Sequence, residues 1–174
     1  MERIQIPDNL KQARRALDSL SQVKILDDWN FDNELKVWFL HLGISIKYET
    51  SYFPQLSQWY VIAEDKYPKG KIKIYPDVEN SINVTLYHQA NNSELEKNGL
   101  WRKGALCLER NTISGFQGEP YSIDERLLYH VSRAIIWLES AAQNKLVLDN
   151  ELFELPDFSL FYMSEIQFVF SENC

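Results

Sequence analysis

Cys107 lies in the short apolar segment Gly104-Ala105-Leu106-Cys107-Leu108 and is the residue best suited to covalent chemistry. A thiol whose pKa is near the ordinary value of about 8.5 is only a few per cent thiolate at neutral pH, yet it is a strong nucleophile and a good leaving group. These properties suit transthioesterification, in which an acyl group arrives on sulfur and then departs to an amine. The small residues Gly104 and Ala105 would let another chain approach the sulfur.

Two other interpretations of Cys107 stay open. A single cysteine is commonly a small buried hydrophobe, and the chain would then be a non-catalytic binding domain that holds a partner with its first helix and its sheet. A cysteine hydrolase would instead need an imidazole, from His88 or His130, to deprotonate the thiol. His41 and His130 are otherwise expected to be structural, and Cys174 at the end of the chain is expected to have no chemical role.

The composition predicts one soluble domain. The chain has 174 residues, 45% of them hydrophobic, and a net charge of −7, which argues against a broad surface for nucleic acid. Two cysteines cannot build a disulfide framework, so a reducing cytoplasm is the expected setting. No apolar run approaches the roughly 18 residues of a membrane span, and no signal peptide is expected. No zinc-type spacing and no glycine-rich nucleotide loop is present, so neither a metal nor a cofactor is expected.

Two amphipathic helices are predicted. Apolar residues recur at helical spacing over 8–20, so a first helix is expected there, with Asp8 as its N-cap. Ser122 and Glu125 form a capping box, in which each side chain binds a backbone amide of the other's turn. This box opens the most regular helix of the chain, which is expected to run to Asn144.

Four antiparallel strands are predicted between the helices. Apolar-rich stretches alternate with polar residues, and the connections between them are too short for helical crossovers. An antiparallel meander in an α+β fold is therefore expected. The strands are expected at 35–46, at 58–64, around Ile72 and Ile74, and at 82–86. A lysine cluster near the third strand is expected to be a solvated face: Lys66, Lys69, Lys71 and Lys73.

The order of these features resembles the ubiquitin-conjugating enzyme (UBC) fold family. That family has an N-terminal helix, a four-stranded antiparallel meander, a Tyr-Pro at the end of the third strand, a His-Pro-Asn turn, a Gly-x-x-Cys-Leu active site and then a helix. Here Tyr67-Pro68 takes the place of the Tyr-Pro, and 104–108 looks like the active-site segment. The resemblance covers roughly residues 8–145 of a single domain spanning 1–174, with 146–174 as a C-terminal extension.

The resemblance also implies roles for residues around the cysteine. Cys107 would be the acyl carrier. No His-Pro-Asn is present, but His88 lies in the place of the family histidine. Asn91 or Asn92 would then stabilise the oxyanion, unless a backbone amide near Cys107 does so. The separation from Asn91 to Cys107 is longer than in the family, as though 93–102 were an insertion.

In the features that differ from the eukaryotic enzymes, the sequence is more similar to the ubiquitin-conjugating-enzyme-like proteins of bacterial CBASS anti-phage operons. That similarity implies a thioester-forming conjugating enzyme that accepts the C-terminus of a partner protein on Cys107 and promotes its transfer. The implied partner is a cGAS/DncV-like nucleotidyltransferase. Some of those proteins carry a fused activating enzyme, whereas this chain shows no ATP-binding segment and is expected to be the stand-alone form. No nucleic acid and no membrane is implied as a partner.

Overall fold

A computed structural model describes residues 5–50, 53–108 and 118–146. The elements are α1 (Asp8–Ala16), a 3₁₀ turn (Leu17–Ser19), β1 (Val23–Asp32), β2 (Val37–Ser45), β3 (Leu56–Glu64), β4 (Ile72–Pro76) and α2 (Ile123–Ala142). This order confirms the predicted α+β class with two helices and a four-stranded sheet. Nearly all of the predicted extension at 146–174 lies outside the described residues, and so does Cys174. Within the described ranges, no helix has both the length and the apolar character needed to cross a bilayer.

The sheet is an antiparallel meander in the order β1-β2-β3-β4. β2 and β3 pair without interruption from Val37 opposite Glu64 to Ser45 opposite Leu56. Successive side chains of a strand point to opposite faces, so β2 buries every second residue against the helices. The inward-facing residues of β2 are Trp38, Leu40, Leu42 and Ile44.

Four strands are present as predicted, but the assignment of two segments is wrong. The segment 82–86 is not a strand, and β1 at Val23–Asp32 completes the sheet. β1 does not show the alternation of polar and apolar residues that predicts a strand. It is an edge strand, and its pairing with β2 shifts on either side of Asp27. Most of its residues are exposed or half-buried, so its polar and apolar residues follow no clean period of two.

The N-cap of the first helix lies one residue earlier than predicted, because the helix already begins at Asp8. The carbonyl of Pro7 accepts from the backbone amides of Leu10 and Lys11, each at 3.1 Å, so Pro7 occupies the N-cap position. Asp8 lies inside the first turn, and its carboxylate binds Lys11 Nζ at 2.8 Å. The prediction of Asp8 as the cap is therefore wrong, since its side chain points along the helix surface to Lys11.

The second helix begins as predicted. Ser122 is the N-cap of α2, and its Oγ accepts from the Glu125 backbone amide at 3.3 Å. The same hydroxyl donates to Glu125 Oε2 at 2.7 Å, so the pair holds the first turn from both sides. α2 packs beside α1 over the inner face of the sheet, and both helices contribute apolar residues to the main core.

Tyr67 ties the connection between β3 and β4 to the second helix. Its hydroxyl donates to the carbonyl of Ile123 at 2.5 Å and accepts from the backbone amide of Leu127 at 3.3 Å. Burial raises the pKa of Tyr67 to about 12, although the bond from Leu127 opposes that shift. The Tyr67–Pro68 peptide bond is cis. Helix α2 is thus held against the sheet by a hydrogen-bonded tyrosine as well as by apolar packing.

The stretch expected as an insertion forms a hairpin on the outer face of the sheet. The amide of Lys103 donates to Glu94 O at 2.8 Å, and the amide of Glu96 donates to Trp101 O at 2.9 Å. Trp101 is buried against Tyr60 and Phe39, with ring centroids 5.2 Å and 5.6 Å away. The hairpin therefore covers part of the sheet face opposite the helices with an aromatic cluster of its own.

Candidate active site

Cys107 lies on a short extended segment beside the free edge of β4. The amide of Leu106 donates to the carbonyl of Ile74 in β4 at 3.0 Å. On the other side, the amide of Cys107 donates to the carbonyl of His88 at 2.8 Å, and Gln89 forms an antiparallel bridge with Leu106. The cysteine segment is therefore held between two neighbours, β4 and the stretch 88–90.

Burial alternates along this segment as it does along a strand. Leu106 and Leu108 are 6% and 5% exposed and belong to the main core, whereas Cys107 between them is exposed. The backbone period of two turns the thiol outward because it turns its two leucine neighbours inward. The alternative in which Cys107 is a small buried hydrophobe is therefore wrong on that point.

His88 is the histidine that the fold brings next to the cysteine. Its carbonyl accepts from the Cys107 amide at 2.8 Å, next to the Gln89–Leu106 bridge, so the backbones of the two residues are neighbours. Its φ of 56° is in the left-handed region, which a residue other than glycine adopts only where the surrounding structure holds it. The bonds of Gln89, whose Nε2 donates to Gly104 O at 3.0 Å, hold this turn.

Asn92, by contrast, is part of the scaffold beneath the site. It is fully buried, and its Nδ2 donates to the carbonyls of Ile82 and Val84 at 2.9 and 3.0 Å. Its backbone amide donates to Thr85 Oγ1 at 2.9 Å. Both amide hydrogens of the side chain are thus engaged with the backbone, and in this arrangement Asn92 has no donor to offer an oxyanion. The same bonds satisfy the carbonyls of the segment that was expected to be a strand.

Asn91 occupies a different environment from Asn92. It is half-buried and follows Ala90, whose amide donates to the carbonyl of Ala105 at 2.9 Å beside the cysteine segment. Asn91 Oδ1 accepts from the backbone amide of Ser93 at 3.0 Å. This bond orients the side chain through its oxygen and leaves the amide nitrogen to act as a donor. Of the two predicted asparagines, Asn91 is the one whose described side-chain bond is made by its oxygen and not by its amide nitrogen.

A partly buried ion-pair cluster, Glu119–Arg126–His130, holds the chain just before α2. Arg126 Nε donates to Glu119 Oε1 at 2.8 Å, and His130 Nε2 lies 2.6 Å from the same oxygen. Arg126 also donates to the carbonyl of Pro68. Burial raises the pKa of Glu119, but the hydrogen bonds from His130 and Arg126 outweigh burial and lower it overall. Sequence reasoning did not single out Glu119, because the residues that define its role lie seven and eleven positions away on a helix.

The remaining histidine packs on the outer face of the sheet. His41 stacks on Tyr60 with ring centroids 4.3 Å apart, and its Nε2 lies 3.7 Å from Asp77 Oδ2. Burial lowers the pKa of His41, against the charges of Asp77 and Asp27. These contacts are those of a packed structural residue, as expected. Across the ranges that the structure describes, no three acidic, histidine or cysteine side chains come together as metal ligands.

An α+β domain with an antiparallel meander, two helices and an outward-facing cysteine is compatible with a UBC-like fold. No protein-family profile matches the chain. The chain is similar to the ATP-dependent ubiquitin transferase-like protein Cap2 of Enterobacter hormaechei subsp. hoffmannii (strain UCI 50), with 27% identity over 159 residues. The match covers 88% of this chain but 26% of that protein, so the chain spans about a quarter of the length of this curated relative.

Proposed function

We propose that the chain is a ubiquitin-conjugating-like acyl transferase in which Cys107 carries the acyl group as a thioester. The observation that carries the proposal is the exposed thiol between two core leucines, Leu106 and Leu108. Such a thiol is held by a segment anchored in the core and is still accessible to a foreign chain end. The similarity to a relative whose name includes ubiquitin transferase supports the same class.

The proposed reaction has two acyl-transfer steps. In the first, the Cys107 thiolate attacks an activated C-terminal carbonyl, a C–S bond forms and the activating group leaves. In the second, an amine attacks the thioester carbonyl, a C–N bond forms, the C–S bond breaks and the thiolate is released. The amine proton passes to water or to His88. The Asn91 side-chain amide, or a backbone amide near Cys107, stabilises the oxyanion in both steps.

The proposed partner is a protein with a C-terminal carboxylate, specifically a cGAS/DncV-like nucleotidyltransferase of a bacterial CBASS anti-phage system. This finer assignment rests on the resemblance of the motif order to the CBASS proteins. Activation of the carboxylate is assigned to a separate protein or to a further part of a longer one, since the relative is named as ATP-dependent and is about four times the length of the match. The proposed setting is the bacterial cytoplasm.

Two substitutions of one residue test the proposal. The Cys107→Ser protein should trap the acyl group as an ester that survives a thiol reductant, whereas the wild-type adduct should be released by it. Cys107→Ala should abolish the adduct. The measurement is a pull-down from cells that carry the protein naturally, followed by intact mass with and without reductant. Cys174→Ser is the matched control and should keep the adduct, and unchanged conjugation by Cys107→Ala would end the catalytic claim.

A cysteine hydrolase is a second candidate, favoured by the backbone hydrogen bond that places His88 beside Cys107. It predicts release of a small product from a model ester, with a pH profile that depends on the imidazole. His88→Ala should then abolish turnover of the ester. A transferase should instead still form the thioester without His88, since a thioester donor is already activated. Retention of thioester formation in His88→Ala, with no ester turnover in the wild type, favours the transferase.

A further inference from the structure

Lys73 lies beside Cys107 on the neighbouring strand. The cysteine segment runs antiparallel to β4. Trp101 bridges Asp77 in the antiparallel sense, the register then shifts by two residues, and the Leu106 amide donates to Ile74 O at 3.0 Å. Along antiparallel neighbours, the residue after Leu106 faces the residue before Ile74. These two residues are Cys107 and Lys73, and neighbouring strands lie only about 4.8 Å apart.

The two side chains also share one face. Leu106 and Ile74 both point into the main core, so the residues next to them on each strand point outward. Lys73 and Cys107 are accordingly both exposed. The backbone of His88 lies on the far side of the cysteine, where its carbonyl accepts from the Cys107 amide at 2.8 Å. Lys73 and Cys107 are therefore outward-facing neighbours on two adjacent extended segments.

Other lysines near the cysteine are less well placed. Lys103 begins a tight turn, in which the Ala105 amide donates to the Lys103 carbonyl at 2.8 Å, so it is not on the extended run that carries Cys107. Its Nζ is held 3.0 Å from Glu94 Oε2, and this bond raises the pKa of Lys103. Lys71 is exposed and lies just before β4. It is two residues before Lys73 in the chain, which places it about 6.6 Å further from the cysteine. Lys73 is the lysine whose flexible four-carbon stem begins opposite the sulfur.

We propose that Lys73 accepts the acyl group from Cys107, which makes it a self-modification site of this chain. This inference rests on the proposed function, because it requires a thioester on Cys107. The deprotonated Lys73 Nζ attacks the thioester carbonyl, a C–N bond forms, the C–S bond breaks and Cys107 is released as the thiolate. The proton from the amine passes to water. The reaction is intramolecular, so proximity replaces a second substrate-binding event.

The experiment uses a defined probe in place of the unidentified partner. The probe is a short peptide with a C-terminal glycine, supplied as its 2-mercaptoethanesulfonate thioester. It is added to the full chain in a Cys174→Ser background, so that Cys107 is the one remaining cysteine of the sequence. Thioester exchange loads the peptide on Cys107, and intact mass after treatment with a thiol reductant separates the labile thioester from the stable amide. Proteolytic mapping then locates the amide.

We expect a labile adduct that converts into a stable adduct on Lys73. Lys73→Arg keeps the positive charge and should retain the labile adduct, but should reduce the stable one by about tenfold or more, because the nearest amine is removed. Lys71→Arg is the matched control and should leave both adducts unchanged. Cys107→Ala should lose the stable adduct as well, since acylation passes through sulfur.

The outcomes separate the two proposals. A labile adduct with no stable product, a stable adduct that maps elsewhere, or a stable yield unaffected by Lys73→Arg overturns the role of Lys73 and leaves the thioester proposal standing. Absence of any labile adduct on the folded wild-type chain overturns the thioester proposal and the role of Lys73 with it.

Discussion

Asn92 and Gly104 are in direct contact where the hairpin begins and ends. A Cβ atom placed on Gly104 would lie 2.4 Å from Asn92 Oδ1, far inside any normal contact distance. Asn92 cannot withdraw, because it is fully buried and its side-chain amide is bonded to the carbonyls of Ile82 and Val84. The glycine three residues before Cys107 is therefore required by packing, and the contact sets where the cysteine segment leaves the hairpin.

We predict that Gly104→Ala destabilises the protein by about 2–4 kcal/mol, since the new methyl group must displace a buried hydrogen-bonded side chain. The free energy of unfolding from urea denaturation measures this effect. Gly118→Ala is the matched control, because a Cβ there meets no atom within 4 Å. The control should change stability by less than about 0.5 kcal/mol. Equal stability of the two variants would show that the close contact relaxes easily.

The two adjacent asparagines should separate stability from catalysis. Asn92→Ala leaves two buried carbonyls without donors and should cost about 2–4 kcal/mol of folding free energy. Asn91→Ala should cost less than about 1 kcal/mol, because Asn91 is half-buried and loses one bond to the Ser93 amide. If Asn91 stabilises the oxyanion, its loss should slow acyl transfer to an amine by about tenfold or more.

Urea denaturation and single-turnover transfer from the loaded thioester measure the two quantities on the same proteins. The opposite pattern, with Asn91→Ala unstable and Asn92→Ala stable but slow, would contradict the assignment.

The Cys107 thiol should react in the native protein. We expect the rate of alkylation by iodoacetamide in a Cys174→Ser background to be within about tenfold of the rate in urea, because the thiol is exposed. Mass spectrometry at timed intervals follows the reaction. Cys107→Ser in the same background should take up no label. Labelling that requires denaturant would mean that the sulfur is covered in solution.

Glu119 should contribute stability that depends on pH. Its folded pKa is below the ordinary value of 4.5, because the bonds from His130 and Arg126 outweigh the opposing effect of burial. A lowered pKa stabilises the folded state above the unfolded value, and the contribution is lost as pH falls below about 4.5 through the folded pKa. The stability difference between wild type and Glu119→Gln should therefore be largest at neutral pH and shrink below pH 4.5. Unfolding free energies at several pH values test this, and a difference that grows on acidification would refute it.

The helices could be predicted from the sequence because the signals that define them are local. The period of the apolar residues and the Ser122–Glu125 capping box both act within one or two helical turns. The predicted start of α2 is therefore correct. The strands could be predicted only in part. β1 is an edge strand with shifted pairing, and 82–86 has the pattern of a strand but has its carbonyls bound by a side chain from ten and eight residues away. Alternation of polar and apolar residues with a period of two shows that a segment could form a strand. It does not show whether a neighbouring strand is present to pair with it.

Three features can each be predicted from one continuous stretch of sequence: the apolar frame around Cys107, the helix that follows it and the lysines between 66 and 73. The face on which the sulfur lies cannot be predicted in this way. It depends on the hydrogen bond from the Leu106 amide to the carbonyl of Ile74, which is 32 positions away in the chain. The burial of Asn92 is likewise not predictable from its own stretch of sequence. Asn92 is fully buried, whereas the adjacent Asn91 is half-buried. Hydrogen bonds between segments distant in the sequence, together with the packing they impose, decide which of several plausible polar residues lie beside the thiol.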